Sequence, residues 1–256
     1  MRTRVYGDRG PLVLVLHGGP GATGSAAELA RALGARCRAV EVWQRRSEDG
    51  GGPLTVARHV ADLHDHVVAC DEPPALVGES WGAMLALAYA AAHPAAIRGL
   101  VLVGCGTFDE AARAEIRARL AASVTPAMHA ALDRLPADDI EGRHQILGRL
   151  YDVDALVEPP DPDAPPFDAA GHHETWDDML RLQADGTYPA AFAVIRAPVL
   201  MLHGADDPHP GAMIRDGLRA VMPQTEYREL ARCGHRPWLE RAARDAFLAV
   251  LGEWLT

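Results

Sequence analysis

Pro74-Ala75-Leu76-Val77-Gly78-Glu79-Ser80-Trp81-Gly82 is the stretch that decides how this 256-residue chain is read. Leu76-Val77 end a short apolar run of the kind that forms a buried strand. From Met84 the run Met84-Leu85-Ala86-Leu87-Ala88-Tyr89-Ala90-Ala91-Ala92-His93 is a strong helix former, stopped by Pro94. Ser80 is therefore expected on a sharp strand-to-helix turn, with Gly78 and Gly82 two residues to either side. Such a turn strains the backbone and brings strand and helix so close that only small residues fit at its flanks. It also lifts the hydroxyl clear of the backbone at a helix N-terminus, where the dipole favours developing negative charge. Gly-x-Ser-x-Gly alone arises by chance; the strand before it and the helix after it give it weight here.

A serine hydroxyl is a weak nucleophile. It needs a base, and the base needs an orienting carboxylate. The chain supplies both, in the order Ser, Asp, His. Pro198-Val199-Leu200-Met201-Leu202-His203-Gly204 is an apolar strand running into Ala205-Asp206-Asp207-Pro208, which puts an acid at the strand's tip. Glu226-Tyr227-Arg228-Glu229-Leu230 alternates like a half-buried strand and leads to Arg232-Cys233-Gly234-His235-Arg236-Pro237. His235 thus also follows a strand. Three matched residues at three strand ends converge on one edge of a parallel sheet, where the sites of open α/β sheets lie.

A fourth element lies near the start. Pro11-Leu12-Val13-Leu14-Val15-Leu16 reads as a buried strand ending in His17-Gly18-Gly19-Pro20-Gly21. Acyl transfer puts negative charge on a carbonyl oxygen, and backbone N–H groups at a glycine-rich turn reach that oxygen unobstructed. The natural pair is the amide of Trp81, directly after the serine, and that of Gly19. As a phosphate loop the segment fails, because it lacks a Gly-Lys-Ser/Thr ending and dinucleotide spacing.

On these motifs the chain resembles the α/β-hydrolases over nearly its whole length. His17-Gly18-Gly19-Pro20-Gly21 is similar to the corresponding run of the proline iminopeptidase-like branch. The resemblance implies Ser80 as nucleophile, His235 as base and Asp207 as acid, with Gly19 and Trp81 forming an oxyanion hole. Asp207 is favoured over its neighbour because the family places its acid three residues after a glycine, here Gly204; Asp206 is the fallback. Some positions depart from the iminopeptidase pattern. Glu79 stands where Gly-Gly-Ser-Trp-Gly is usual, and Trp43-Gln44-Arg45-Arg46 replaces Asp-Gln-Arg-Gly. Trp176-Asp177-Asp178 is the nearest echo of the cap residues that hold a substrate amine. Gly18, Trp176, Asp177 and His209 are the expected substrate contacts.

Alternating strands and helices predict an α/β class with a mostly parallel sheet and helices on both faces. Strands are expected near 11–17, 37–43, 74–78, 98–104, 198–204 and 225–230, with an edge strand near 2–7. Helices are expected at 25–34, 54–69, 81–92, 211–222 and 238–254. Ser25-x-x-Glu28 and Thr107-x-x-Glu110 have the capping-box pattern. Only about ten residues precede the strand at 11–17, so the resemblance implies a shortened N-terminal antiparallel pair. Residues 1–106 and 191–256 should form the core, and 107–190 a helical cap. In that insertion Phe108–Val124, Pro126–Leu135, Asp139–Leu150 and Glu174–Gln183 read as helices, divided by the Pro-rich 158–166.

Charge is unevenly spread. Residues 107–190 hold 17 Asp and Glu against 7 Arg, a net of −10, while the rest of the chain balances at 18 of each. An acidic mouth would attract a cationic or amino-bearing substrate; a solvated acidic lid has the same composition. All 25 basic residues are Arg, and there is no basic excess, so nucleic-acid binding has no footing. No apolar stretch approaches a membrane span, and Met1-Arg2-Thr3-Arg4 runs straight into domain sequence without a signal-type region. Cys37, Cys70, Cys105 and Cys233 are widely spaced without a Cys-x-x-Cys, which predicts reduced thiols in a cytoplasmic protein. His64-Asp65-His66, His172-His173 and Asp206 with His209 lack the spacing of a zinc or helical metal site, so no metal and no cofactor are expected.

The sequence thus predicts a metal-free serine hydrolase acting on a small-molecule ester or amide through an acyl-enzyme, with aminopeptidase-like activity in its range. One alternative keeps the three residues and changes the bond, to carbon–carbon hydrolysis or lactone opening. Another is a non-catalytic, lidded small-molecule receptor. No oligomeric state is assigned.

Overall fold

The computed structural model describes residues 2–136, 139–157 and 161–256. Met1, residues 137–138 between two expected helices, and 158–160 at the start of the Pro-rich run lie outside them.

Among the described residues short apolar or alternating runs form seven strands: β1 (Thr3–Tyr6), β2 (Leu12–Leu16), β3 (Arg38–Val42), β4 (Ala75–Glu79), β5 (Gly99–Val103), β6 (Val199–Gly204) and β7 (Thr225–Leu230). They make one sheet in the order β1-β3-β2-β4-β5-β6-β7. Only β1 runs antiparallel, against β3; the other neighbours are parallel. The expected short N-terminal pair is thus this single edge strand. Strand order reverses at β2, whose neighbours are β3 and β4, and a crevice opens at the C-terminal edge of such a switch point.

The strand period of two sorts residues onto two cores. Leu14, Leu16, Leu76, Leu100, Leu102 and Met201 face one helical layer. It contains α2 (Val56–Val68), α3 (Trp81–Ala92) and α8 (Gly211–Val221). Val13, Val15, Val77, Val101, Val103 and Leu202 face the other, with α1 (Ala27–Leu33) and α9 (Arg244–Leu255). Burial on both faces explains the unbroken apolar strands. Between β5 and β6 lie α4 (Glu110–Ser123), α5 (Pro126–Leu132), α6 (Ile140–Leu147) and α7 (Ala169–Ala184). Among the described residues no helix is long and apolar enough to cross a membrane.

Three local expectations are corrected. Ser25 does not cap α1, whose N-cap is Ala26 without a side-chain bond; the Ser25 hydroxyl donates to Glu79 instead. Thr107 is not the cap of α4 either, because Asp109 takes that place and accepts from the Ala112 N–H. The last helix begins at Arg244, not at 238, since the Glu240 carboxylate is fully buried and spent on the backbone of other segments.

Candidate active site

Ser80 sits between β4 and α3 with φ 50° and ψ −114°, a strained conformation for a residue with a side chain. Its N–H donates to the Val103 carbonyl at 2.8 Å, which ties the turn to β5. A methyl group on Gly78 would overlap the Gly82 carbonyl, and one on Gly82 would overlap the carbonyls of Leu16 and His17. The Gly-x-Ser-x-Gly spacing is therefore a packing requirement. The Trp81 N–H belongs to the first turn of α3, where amides have no acceptor within the helix.

Asp207, past the end of β6, is buried, and its carboxylate gathers three imidazoles. Oδ2 accepts from His235 Nδ1 at 2.7 Å, and His203 Nε2 lies 3.3 Å away. Oδ1 accepts from the backbone N–H and the Nδ1 of His209, at 2.8 and 3.0 Å. The rings of His209 and His235 stack with centroids 4.5 Å apart. His203 Nε2 also meets the His209 carbonyl at 3.0 Å, and a carbonyl only accepts, so the proton of neutral His203 is on Nε2. Burial disfavours the Asp207 carboxylate, but His235 and His209 outweigh it and hold its pKa well below the usual range. Burial likewise disfavours the His235 imidazolium; Asp207, by charge and hydrogen bond, and Glu79 by charge, more than offset that and raise its pKa. Burial lowers the pKa of His209. With its Nδ1 hydrogen on Asp207, His235 keeps a lone pair on Nε2. Asp206 is exposed, and its Oδ2 accepts from the Cys233 N–H at 3.2 Å.

The glycine loop after β2 is pinned by side chains. His17 is buried and neutral, burial pulling its pKa down to about 4. Its Nδ1 donates to the Gly18 carbonyl, and its Nε2 accepts from the Gln44 N–H. The Gln44 side chain donates to the His17 carbonyl and accepts from the Trp81 indole at 2.7 Å. Gly18 N–H donates to Glu79 Oε1 at 3.0 Å. Gly19 has φ 113°, a conformation that favours glycine.

Ser80, His235, Gly18, Gly19, Trp81, His209 and Trp176 all line one cavity of about 980 Å³. Asp177 does not; it is exposed on α7. Its neighbours are structural acceptors: Asp178 takes the Val56 N–H and Glu174 the Leu54 N–H, which fasten α7 to the start of α2. Asp168 likewise accepts from the N–H and hydroxyl of Ser47. Asp168, Glu174 and Asp178, three of the 17 acids of the 107–190 segment, are thus spent on holding it to the core.

Several contributors went unread in the sequence. Tyr151 meets the His235 ring in a T-shaped contact at a centroid distance of 5.3 Å, and its carbonyl accepts the His235 N–H at 2.6 Å. Arg236 pairs with Asp152. Glu240 accepts the N–H groups of Val153, Asp154 and Gly234. The only sequence signal for these was an Arg and a Glu in an otherwise apolar stretch after the histidine. Among the described residues, Asp207, His209 and His235 bring metal-ligand-type atoms within 4.8 Å of one another, but these atoms are engaged in the hydrogen bonds above.

The chain matches the model of the Alpha/beta hydrolase family over residues 12–250. No curated protein matches it in sequence. Among solved structures it is similar to VinJ, at 24% identity and TM-score 0.73, covering 99% of this chain and 93% of that one. A proline iminopeptidase from Mycobacterium smegmatis is 20% identical with TM-score 0.64, at 99% and 93% coverage. The esterase RhEst1 from Rhodococcus sp. ECU1013 is 24% identical with TM-score 0.60, again at 99% and 93% coverage. Identities this low establish a shared fold and leave substrate open.

Proposed function

This chain belongs to the alpha/beta hydrolase family, and from that premise we propose that it is a serine hydrolase cleaving a small ester or amide through an acyl-enzyme. The observation that carries this reading is the 2.7 Å bond from His235 Nδ1 to the buried Asp207, with His235 on the same cavity as the strained Ser80. Ser80 Oγ attacks the acyl carbon while His235 Nε2 takes its proton. The oxyanion accepts from the amides of Gly19 and Trp81, each worth about 3 kcal/mol in the transition state. Collapse expels the leaving group with the proton from His235. Water then attacks the acyl-enzyme, gives its proton to the same ring, and Ser80 is regenerated.

In this reading residues 107–190 are a lid over the nucleophile, and Trp176 and His209 contact the bound acyl or leaving group. A cytoplasmic location belongs to the same reading, on the sequence grounds of cysteine spacing. Fluorophosphonate labelling tests the mechanism. Wild type should label at Ser80, and Ser80→Ala should lose labelling and about 10⁴-fold or more in kcat. A mutant that still labels stoichiometrically in the cavity would remove Ser80 from its role. A panel pairing simple acyl esters with free and N-acylated aminoacyl amides then separates esterase from aminopeptidase-like activity.

A further inference from the structure

The two donors of the oxyanion site come from different elements, the glycine loop after β2 and the first turn of α3. Both must lie within about 0.5 Å of their productive positions to share one oxygen. The loop offers few side chains of its own to brace it, since Gly18, Gly19, Gly21 and Gly24 have none, and the last three have positive φ, at 113°, 92° and 91°. Something must hold it against the serine turn.

Glu79 is built to do so. It is the last residue of β4, next to Ser80, and only 7% exposed. Its Oε1 accepts from the Gly18 N–H at 3.0 Å and from the Ser25 hydroxyl at 3.1 Å, so one oxygen grips the loop near both ends. A methyl group placed on Gly18 would lie 3.3 Å from Glu79 Oε1 and 3.3 Å from Ser80 Cβ, which sets carboxylate and nucleophile side by side. Both donors are neutral, and burying a carboxylate with neutral donors alone is costly. Burial accordingly raises the Glu79 pKa, with Gly18, His235, Ser25 and Arg236 opposing it. A cost of this kind, next to the nucleophile, calls for a return in function.

We propose that Glu79 is a positioning residue that clamps the glycine loop to the nucleophile turn and so sets the spacing of the Gly19 and Trp81 amides. This assignment rests on the serine-hydrolase reading above. A second consequence follows from charge. His235 faces Asp207, His203 and His209 from the β6 side, Tyr151 from the segment before α7, Arg236 beside it, and Glu79 from the end of β4. A carboxylate there favours the imidazolium that forms when Ser80 is deprotonated.

The test uses p-nitrophenyl acetate for turnover, a fluorophosphonate for labelling and a trifluoromethyl ketone as a mimic of the tetrahedral adduct. Glu79→Leu removes the acceptor shared by Gly18 and Ser25 and should lower kcat/KM for the ester by about 100-fold, the scale of one lost oxyanion donor, with KM within about threefold. Trifluoromethyl ketone affinity should fall in parallel. Glu79→Gln keeps an oxygen for Gly18 and Ser25, and should recover kcat/KM to within about tenfold of wild type. Its acid limb in the pH profile should move to lower pH, because the negative charge near His235 is gone. A merely structural role would lower the melting temperature without splitting kcat from KM or moving that limb. Should Glu79→Leu not fold, Ser25→Ala, which removes one of the two donors that Glu79 holds, is read in its place: a fall in kcat/KM and in trifluoromethyl ketone affinity with KM within about threefold supports the clamp, and no change in either overturns it. If wild type labels at Ser80 and Glu79→Leu folds but loses less than about threefold in kcat/KM, the clamp is wrong and the serine mechanism stands. If wild type neither labels nor turns over any ester or amide, the serine-hydrolase reading falls and the clamp with it.

Discussion

Asp206 and Asp207 are adjacent and chemically identical, yet the fold gives them different work. Asp207 is buried and carries His235 on one oxygen and His209 on the other; Asp206 is exposed and takes a single backbone N–H from Cys233. Asp207→Asn should therefore cost about 10⁴-fold in kcat, because the histidine loses both its tautomer and its orientation. Asp206→Asn keeps an oxygen for Cys233 and should cost less than about tenfold. Equal losses in steady-state kinetics would place the acid one residue off. The pH profile belongs to the same residues. Asp207 and Glu79 outweigh burial and raise the His235 pKa, and in the proposed mechanism this histidine works only when neutral. kcat/KM should therefore fall on acidification with an apparent pKa above the ordinary histidine value, and a limb below it would contradict this environment. At this scale the sequence was informative: serine, acid and histidine each follow a strand, and a strand end is a fixed address on the sheet edge. His203 and His209 were not legible as partners of Asp207. Their meeting depends on how the acid loop folds back over β6, which no local pattern encodes.

Elements were legible wherever burial alone determines them. β2, β4, β5 and β6 are apolar on both faces, and the helices expected around them appear within a few residues of their predicted limits. Ends were misread where a distant group competes for the local one. Ser25 has the right spacing to cap α1, but its hydroxyl is turned to the buried Glu79 carboxylate, to which it donates, and so does not reach the helix amides. The start of α9 is delayed for a similar reason. Leu239 and Glu240 bind the stretch from Val153 to Leu156 through backbone and carboxylate bonds, which a helix at 238–243 would forbid. This strap reaches the chemistry, since Glu240 also takes the Gly234 N–H and Tyr151 the His235 N–H. Glu240→Ala leaves the buried Gly234 amide and the part-buried amides of Val153 and Asp154 without their acceptor, and should destabilise the fold by about 2 kcal/mol. It should also lower kcat at temperatures well below its melting point, because the backbone on either side of His235 loses a tether. A variant with reduced melting temperature and unchanged kcat would confine the strap to a structural role.

Over the whole molecule, a few ionisable groups that are distant in sequence meet in buried or part-buried places, and these pairings were the least legible of all. Arg4 on the edge strand meets Asp161, more than 150 residues away in the chain, above the fully buried Glu41 on β3. Glu41 lies opposite Arg4 in the β1–β3 pairing, and with β1 beside it and Asp161 held by Arg4, it loses its water. Burial pushes its pKa from 4.5 up to about 7. His17 and His59 are opposite cases, pulled by burial from 6.5 down to about 4. Stability follows from which state holds more protons. Between pH 6.5 and 4 the unfolded chain protonates both histidines and the folded chain resists, so acidification destabilises. Glu41 acts in the other direction. The folded chain holds a proton there that the unfolded chain has lost above about pH 4.5, so its contribution is present below that value and lost as pH rises to 7. Glu41 offsets about one of the two histidines in wild type, so acidification from pH 6.5 to 4.5 should still destabilise the fold. Glu41→Gln removes one side of the balance. By the same linkage it should be more stable than wild type at pH 8 by on the order of 3 kcal/mol, and should converge with it near pH 4.5. Urea unfolding at pH 8, 6 and 4.5 measures this directly. A gain of equal size at all three values would assign the effect to repacking around Glu41, and no gain at pH 8 would mean that Arg4 already neutralises the carboxylate.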